Sequence, residues 1–218
     1  MKKSFAVFGL GRFGGTLVKE FAELGIEVLA VDIDEAKVSR YSEFATYAVV
    51  VNELDESSLK KLGIRNIDHA IVSFGEDMKS SVLTCLLLKE VGVPQVWAKA
   101  HDDYHAKVLE KIGVDRVIHP ERDMAIRVAH YIASHKIIDY IELSKEFSIA
   151  EVVATEKIHN KTLIELDIRS RFGCNIVAIQ RGNEIVVSLD PDKKILKGDV
   201  LVVIGRNEDI NRFDQKGV

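Results

Sequence analysis

The sequence predicts an α/β fold: a Rossmann-like doubly wound parallel sheet, followed by a small α+β domain. Three observations carry that expectation. Through residues 1–136, short apolar runs alternate with amphipathic helical patterns, as βαβ units require. Gly9-Leu10-Gly11-Arg12-Phe13-Gly14 follows the first apolar run directly and opens the first helical pattern. Beyond Ser148 the apolar period shifts towards two, the mark of strands with one buried face.

The first strand is Ser4–Phe8, and each glycine after it has a physical task. Gly9 permits the tight turn, Gly11 lets backbone N–H groups approach phosphates, and Gly14 lets helix and strand pack closely. The second strand, Ile26–Val31, ends on Asp32. Further strands are expected at Tyr47–Val51, Ala70–Phe74, Gln95–Lys99 and Arg116–Ile118. Between them lie helical patterns at Asp34–Glu43, Ser57–Leu62, Asp77–Val91 and Asp102–Ile112. Several open on a capping residue, and two run into Gly92 and Gly113, which suit left-handed C-caps. Right-handed crossovers then put a ligand crevice at the carboxyl ends of the strands.

Glu121–Lys136 reads as a long helix led by His119-Pro120. Ile137–Leu143 reads as an apolar connector, followed by the polar Ser144-Lys145-Glu146. Strands follow at Ile149–Ala154 and Asn175–Gln180, with Arg181-Gly182-Asn183 turning into Glu184–Val187. Lys197-Gly198-Asp199 precedes a strand at Val200–Ile204, and Glu208–Phe213 suits a last helix. The expected organisation is a nucleotide-binding domain at 1–136, a crossover connector at 137–147 and a ligand-sensing domain at 148–218. So small a second domain has little core of its own and is expected to dimerise or dock.

Bulk properties exclude several classes. A formal charge of −4 without clustered Lys and Arg argues against nucleic acid as a partner. Cys85 and Cys174 lack CxxC spacing and read as reduced thiols of a cytosolic protein. Met1-Lys2-Lys3 imitates the start of a signal peptide, but Arg12 interrupts the apolar run and no cleavage site follows. No segment approaches the roughly 18 apolar residues of a membrane span, so a membrane role requires a partner.

The strand–glycine loop–helix–strand–acid order points to a nucleotide. The N-terminus of the first helix offers aligned N–H dipoles to an anion. Asp32, about 20 residues beyond the glycines, is placed to accept ribose hydroxyls and to repel a 2′-phosphate. Arg12 sits inside the loop, where a guanidinium can fork onto a terminal phosphate. The other reading is a solvated arginine, unfavourable at a helix start unless an anion is bound there. Asp34 suits either the nucleotide or the N-cap of the next helix. Asn52-Glu53 and Phe74-Gly75-Glu76 follow strands at the carboxyl edge. His101 and His105 are one helical turn apart, a spacing that suits zinc, but no third ligand lies nearby in sequence.

Catalysis lacks a visible constellation. Tyr-x-x-x-Lys, Gly-x-Ser-x-Gly, HExxH and a Walker-type Gly-Lys-Ser/Thr are all missing, which favours a sensor over an enzyme. A small NAD(P)-dependent oxidoreductase is the alternative, and a redox-sensing transcription factor would need a DNA-reading module that is not visible.

Longer segments resemble one family. They are Phe5–Gly15, Val28–Asp34, Lys107–Gly113, Ile118–Met124 and Asp167-Ile168-Arg169. Together they resemble the regulator-of-potassium-conductance (RCK) family, specifically the cytosolic regulatory subunits of Ktr-type potassium transporters. That resemblance implies dimers assembling into an octameric ring at the inner face of the membrane, beneath a transporter subunit. It implies ATP as activating and ADP as inactivating ligand, with NAD or NADH possible in the same cleft. The nucleotide would meet Gly9, Gly11, Arg12, Phe13, Gly14, Asp32, Ile33, Asp34, Asn52, Glu53, Phe74, Gly75 and Glu76. Lys99, Ala100, His101 and His105 would lie around phosphates, partly across a subunit boundary. Glu121 would meet Mg²⁺ or Ca²⁺ between neighbouring sites; its ordinary role is a first-turn acid on the helix dipole. Asn52 departs from the acid that many relatives carry there, which bears on base preference. In the second domain, Leu163, Ile164, Asp167, Arg169, Asn175 and Ile176 resemble the site for inhibitory cyclic di-AMP. A two-fold ligand suits a patch offered once by each of two subunits. The plainer reading makes the apolar residues core and Asp167–Arg169 a surface pair.

Overall fold

The computed structural model describes residues 3–133 and 137–218. Met1 and Lys2, and the expected end of the long helix and of the first domain at Lys136, lie outside the described residues. The chain divides into compact units at Met1–Pro120 and Glu121–Val218.

The first unit holds a parallel sheet of six strands: β1 (Phe5–Phe8), β2 (Val28–Asp32), β3 (Tyr47–Val50), β4 (His69–Val72), β5 (Gln95–Lys99) and β6 (Arg116–Ile118). Their order is β3-β2-β1-β4-β5-β6, so the strand order changes direction between β1 and β4, the switch point of a doubly wound fold. Between the strands run α1 (Arg12–Glu23), α2 (Glu35–Tyr41), α3 (Glu56–Lys61), α4 (Met78–Val91) and α5 (Asp103–Lys111). Alternation along β1 divides the core. Ala6 and Phe8 face Leu59 of α3, Leu88 of α4 and Leu109 of α5, whereas Val7 faces Val18 of α1 and Val38 of α2. Each of these larger side chains, fully enclosed, contributes about 1.5–3 kcal/mol.

Helix boundaries follow local chemistry. Asp34 caps α2 by accepting the N–H groups of Ala36 and Lys37. Asp77 caps α4, which stops at Gly92 with φ of +90°. Gly113 likewise takes φ of +85° just past α5.

In the second unit α6 (Pro120–Ala133) precedes five antiparallel strands: β7 (Ile137–Glu142), β8 (Phe147–Val153), β9 (Asn175–Arg181), β10 (Glu184–Val186) and β11 (Val200–Arg206). Their order is β10-β9-β11-β8-β7. Ile137–Glu142 therefore corrects the expected connector: it is an edge strand. A register shift between Ile137 and Asp139 spaces its buried residues, Ile137 and Tyr140, three apart and hides the period of two. The stretch between β8 and β9 forms two helices, α7 (Leu163–Leu166) and α8 (Ile168–Phe172). With the last helix, α9 (Asn207–Lys216), they cover one sheet face, where Phe172 and Phe213 meet edge to face at 5.4 Å.

Candidate functional site

At the carboxyl edge of the first sheet the glycine loop is fixed by steric necessity. Gly9 has φ of +92°, and a Cβ there would sit 2.8 Å from the Ser73 carbonyl oxygen. A Cβ on Gly14 would lie 1.9 Å from the carbonyl oxygen of Gly9, so only glycine lets α1 pack this closely. Gly11 differs: a Cβ there would meet nothing within 4 Å. The described residues do not fill the space over Gly11, which opens at the N-terminus of α1. No side chain caps that helix, and its first turn holds no acid. Exposed Arg12 stands in the same turn, beside half-buried Phe13. Uncapped N–H groups, a free space and a guanidinium together suit an anionic group.

Asp32 closes the next part of the cleft. It is 5% exposed, and its Oδ2 accepts the N–H of Leu10 at 2.6 Å while Oδ1 accepts that of Asp34 at 2.9 Å. Lys37 Nζ lies 3.9 Å from the same carboxylate. Asp32 thus ties the end of β2 to the glycine loop, and each oxygen keeps one lone pair for a further donor. Asp34 is committed as a cap. Ile33 between them is 62% exposed.

A cavity of about 430 Å³ begins there, with Asp32, Ile33, Asn52, Glu53 and Phe74 on its walls. Its far wall is α4 with its cap, contributing Asp77, Lys79, Ser80 and Thr84. Sequence reasoning passed over these, although polar residues recurring along an otherwise apolar helix are a legible signal. The Ser80 hydroxyl and N–H hold the Asp77 carboxyl below the usual carboxylate range. Gly75 and Glu76 are exposed in the loop after β4, outside the cavity lining.

Along the same edge, half-buried Lys99 ends β5, followed by buried Ala100 and exposed His101. His105 is fully enclosed; its Nδ1 accepts the His101 N–H at 3.2 Å, and its Nε2 has no partner among the described residues. Burial pushes the His105 pKa down, so the ring is neutral near pH 7. The zinc alternative fares poorly: one ring is exposed, the other enclosed with Nδ1 engaged, and no group of three suitable ligands occurs among the described residues. Glu121 is exposed in the first turn of α6, within the second unit.

In the second unit a cavity of about 170 Å³ brings together Leu163, Asp167, Arg169, Asn175 and Ile176, with Ile168 and Cys174. Ile164 is not among its walls and is 61% exposed. Asp167 occupies the left-handed region at φ of 39°, and its carboxylate accepts the Ser170 hydroxyl at 2.7 Å. Among the described residues no ion pair joins Asp167 to Arg169. Burial pushes the Cys174 thiol up to about 11.

The TrkA-N domain family matches residues 5–120, and the TrkA-C domain family matches residues 147–216. The Ktr system potassium uptake protein C of Bacillus subtilis is 53% identical over 216 residues, covering 99% of this chain and 98% of that protein. The chain belongs to the Ktr family of potassium uptake proteins. Two further Ktr relatives agree from end to end. The B. subtilis uptake protein A is 48% identical over 99% of this chain and 97% of its own length. Its Vibrio alginolyticus counterpart is 37% identical over 93% and 92%. Among solved structures, the GsuK channel bound to NAD is similar with a TM-score of 0.52 and 21% identity, over 98% of this chain and 38% of that one. At that identity the likeness speaks for the fold alone.

Proposed function

We propose that this chain is a cytosolic nucleotide-sensing subunit of a gating ring, regulating a membrane potassium transporter of the Ktr type. The observation that carries the reading is its end-to-end likeness to potassium uptake proteins, 53% identical over 216 residues. The geometry of the glycine loop supports it. Among the described residues no helix is long and apolar enough to cross a membrane, which fits attachment through a partner subunit.

In this reading the loop from Gly9 to Gly14 and the N-terminus of α1 hold the phosphates, Arg12 takes the terminal one, and Asp32 takes the ribose. Lys99 and His101 complete the surroundings, partly across a subunit boundary, and Glu121 contributes one carboxylate to Mg²⁺ or Ca²⁺ between neighbouring sites. ATP favours the active ring and ADP the inactive one, because Arg12 reaches a group that only ATP has. NAD or NADH occupies the same cleft. Cyclic di-AMP inhibits by bridging two copies of the patch around Arg169 and Asn175. A ligand moves a two-state equilibrium only through differential affinity, and about 1.4 kcal/mol shifts it tenfold.

Calorimetry and solution scattering with ATP, ADP, NADH and cyclic di-AMP on the full chain test this. Arg12→Ala is expected to retain nucleotide binding while losing most of the ATP–ADP difference in ring shape. Identical responses of the unmutated protein to ATP and ADP would sink the sensing mechanism. Sustained oxidation of NADH with an added substrate would instead make it an oxidoreductase.

A further inference from the structure

The wall that α4 gives to the first cleft contains a group the glycine motif does not explain. Asp77 is engaged as a cap, and the Ser80 hydroxyl donates to Asp77 Oδ2 at 2.6 Å. Thr84 is not engaged. It lines the cavity, is 2% exposed, and its hydroxyl has no hydrogen-bond partner among the described residues. A helical threonine ordinarily returns its hydroxyl to the carbonyl four residues back. Thr16 does so, donating to the Arg12 carbonyl oxygen at 2.8 Å. Thr84, although more deeply enclosed, leaves that bond unmade.

The surroundings of Thr84 indicate what would complete it. Val31, Val51, Leu54, Phe74 and Leu83 supply the apolar part of the cavity wall, Asn52 brings an amide, and the charged lining residues are the carboxylates of Asp32, Glu53 and Asp77 against the single ammonium of Lys79. Apolar side chains together with three carboxylates against one lysine suit an uncharged heteroaromatic ring better than a phosphate, which needs an excess of cations or free N–H groups. The anion-compatible N–H groups are at α1 instead, on the other side of Asp32.

We propose that Thr84 is a base-contacting residue: its hydroxyl hydrogen-bonds the ring edge of the nucleotide's base. The proposal rests on the nucleotide reading above, and its test separates the two. Thr84→Val exchanges the hydroxyl for a methyl group at nearly constant volume. Calorimetry on the full chain, with ATP and with inorganic tripolyphosphate as a base-free probe, reads the result. The expected outcome is about tenfold weaker ATP binding, the loss of one neutral hydrogen bond, with tripolyphosphate unaffected and Thr84→Ser restoring ATP. Ligand-free melting of each variant checks the fold. Should the valine variant not fold, Thr84→Ala carries the same expectation. ATP affinity unchanged in Thr84→Val, or tripolyphosphate weakened equally, would overturn the base contact and leave the nucleotide reading standing. No binding of ATP, ADP or NADH by the unmutated protein would overturn that reading itself.

Discussion

The glycine loop of the first unit is shaped by backbone contacts, whereas the smaller cavity of the second is cut among side chains of helices of four and five residues and the start of β9. Gly9 and Gly14 could not be otherwise without a collision, and Asp32 pins the loop to the neighbouring strand. That loop is shaped before any ligand arrives. Around Asp167 the walls come from two short helices, one opening on a left-handed residue, and from the first residues of β9, and exposed Ile164 stands outside them. The contrast teaches that a preformed site and an incomplete one can share a chain. In the proposed reading the first discriminates through the glycine loop and Asp32, and the second would take its remaining surface from a two-fold mate.

Substitutions can break or sharpen this contrast. The largest effect is expected from Gly14→Ala, which drives a Cβ to 1.9 Å from the Gly9 carbonyl oxygen. Overpacking against backbone should cost the first unit about 3 kcal/mol while the second melts as before, read by calorimetry that resolves two transitions. Melting of both units together would show that they are not independent.

Asp199→Asn is the counterpart in the second unit. Asp199 is enclosed, with Arg181 Nη2 at 2.7 Å and the Leu196 N–H at 2.8 Å. Burial pushes its carboxyl up, but those donors outweigh it and hold the group below the usual carboxylate range. Because the folded form holds its proton less tightly, its contribution is present above pH 3.8, the ordinary value, and is lost as pH falls through the lower folded value. Asp199→Asn should lose about 2 kcal/mol at neutral pH, given the half-exposed arginine, and should flatten that acid limb in pH-dependent denaturation.

Asp32→Asn is expected to cost the first unit about 1–2 kcal/mol, since one of two backbone donors loses its charged acceptor, measured by urea titration. The smallest effect on stability belongs to Arg169→Ala. This exposed side chain should shift stability by no more than about 0.5 kcal/mol, yet weaken cyclic di-AMP binding about tenfold in calorimetry. A large loss of stability there would make Arg169 a structural residue.

Much of this was legible in the sequence where local chemistry decides. Gly9, Gly14, Gly92 and the Asp34 cap behave as their residue types demand, and alternating apolar runs place the sheet. Three features were not. Ile137–Glu142 is a strand whose bulge scrambles the alternation that would have exposed it. The helices around Asp167 are too short to show a helical period. His105, expected around nucleotide phosphates and weighed as a zinc ligand, is enclosed, because α5 turns that face towards the sheet. Likewise Asp32 could be placed at the end of β2, but its bond to Leu10, 22 residues away, is a product of tertiary folding.

Each unit also encloses a single thiol, Cys85 in the first and Cys174 in the second. Burial pushes the former up to about 12 and the latter up to about 11, so neither reacts while its surroundings stay shut. The native chain therefore carries one built-in clock per unit: alkylation at each sulfur counts the openings of its own half, without any label being introduced.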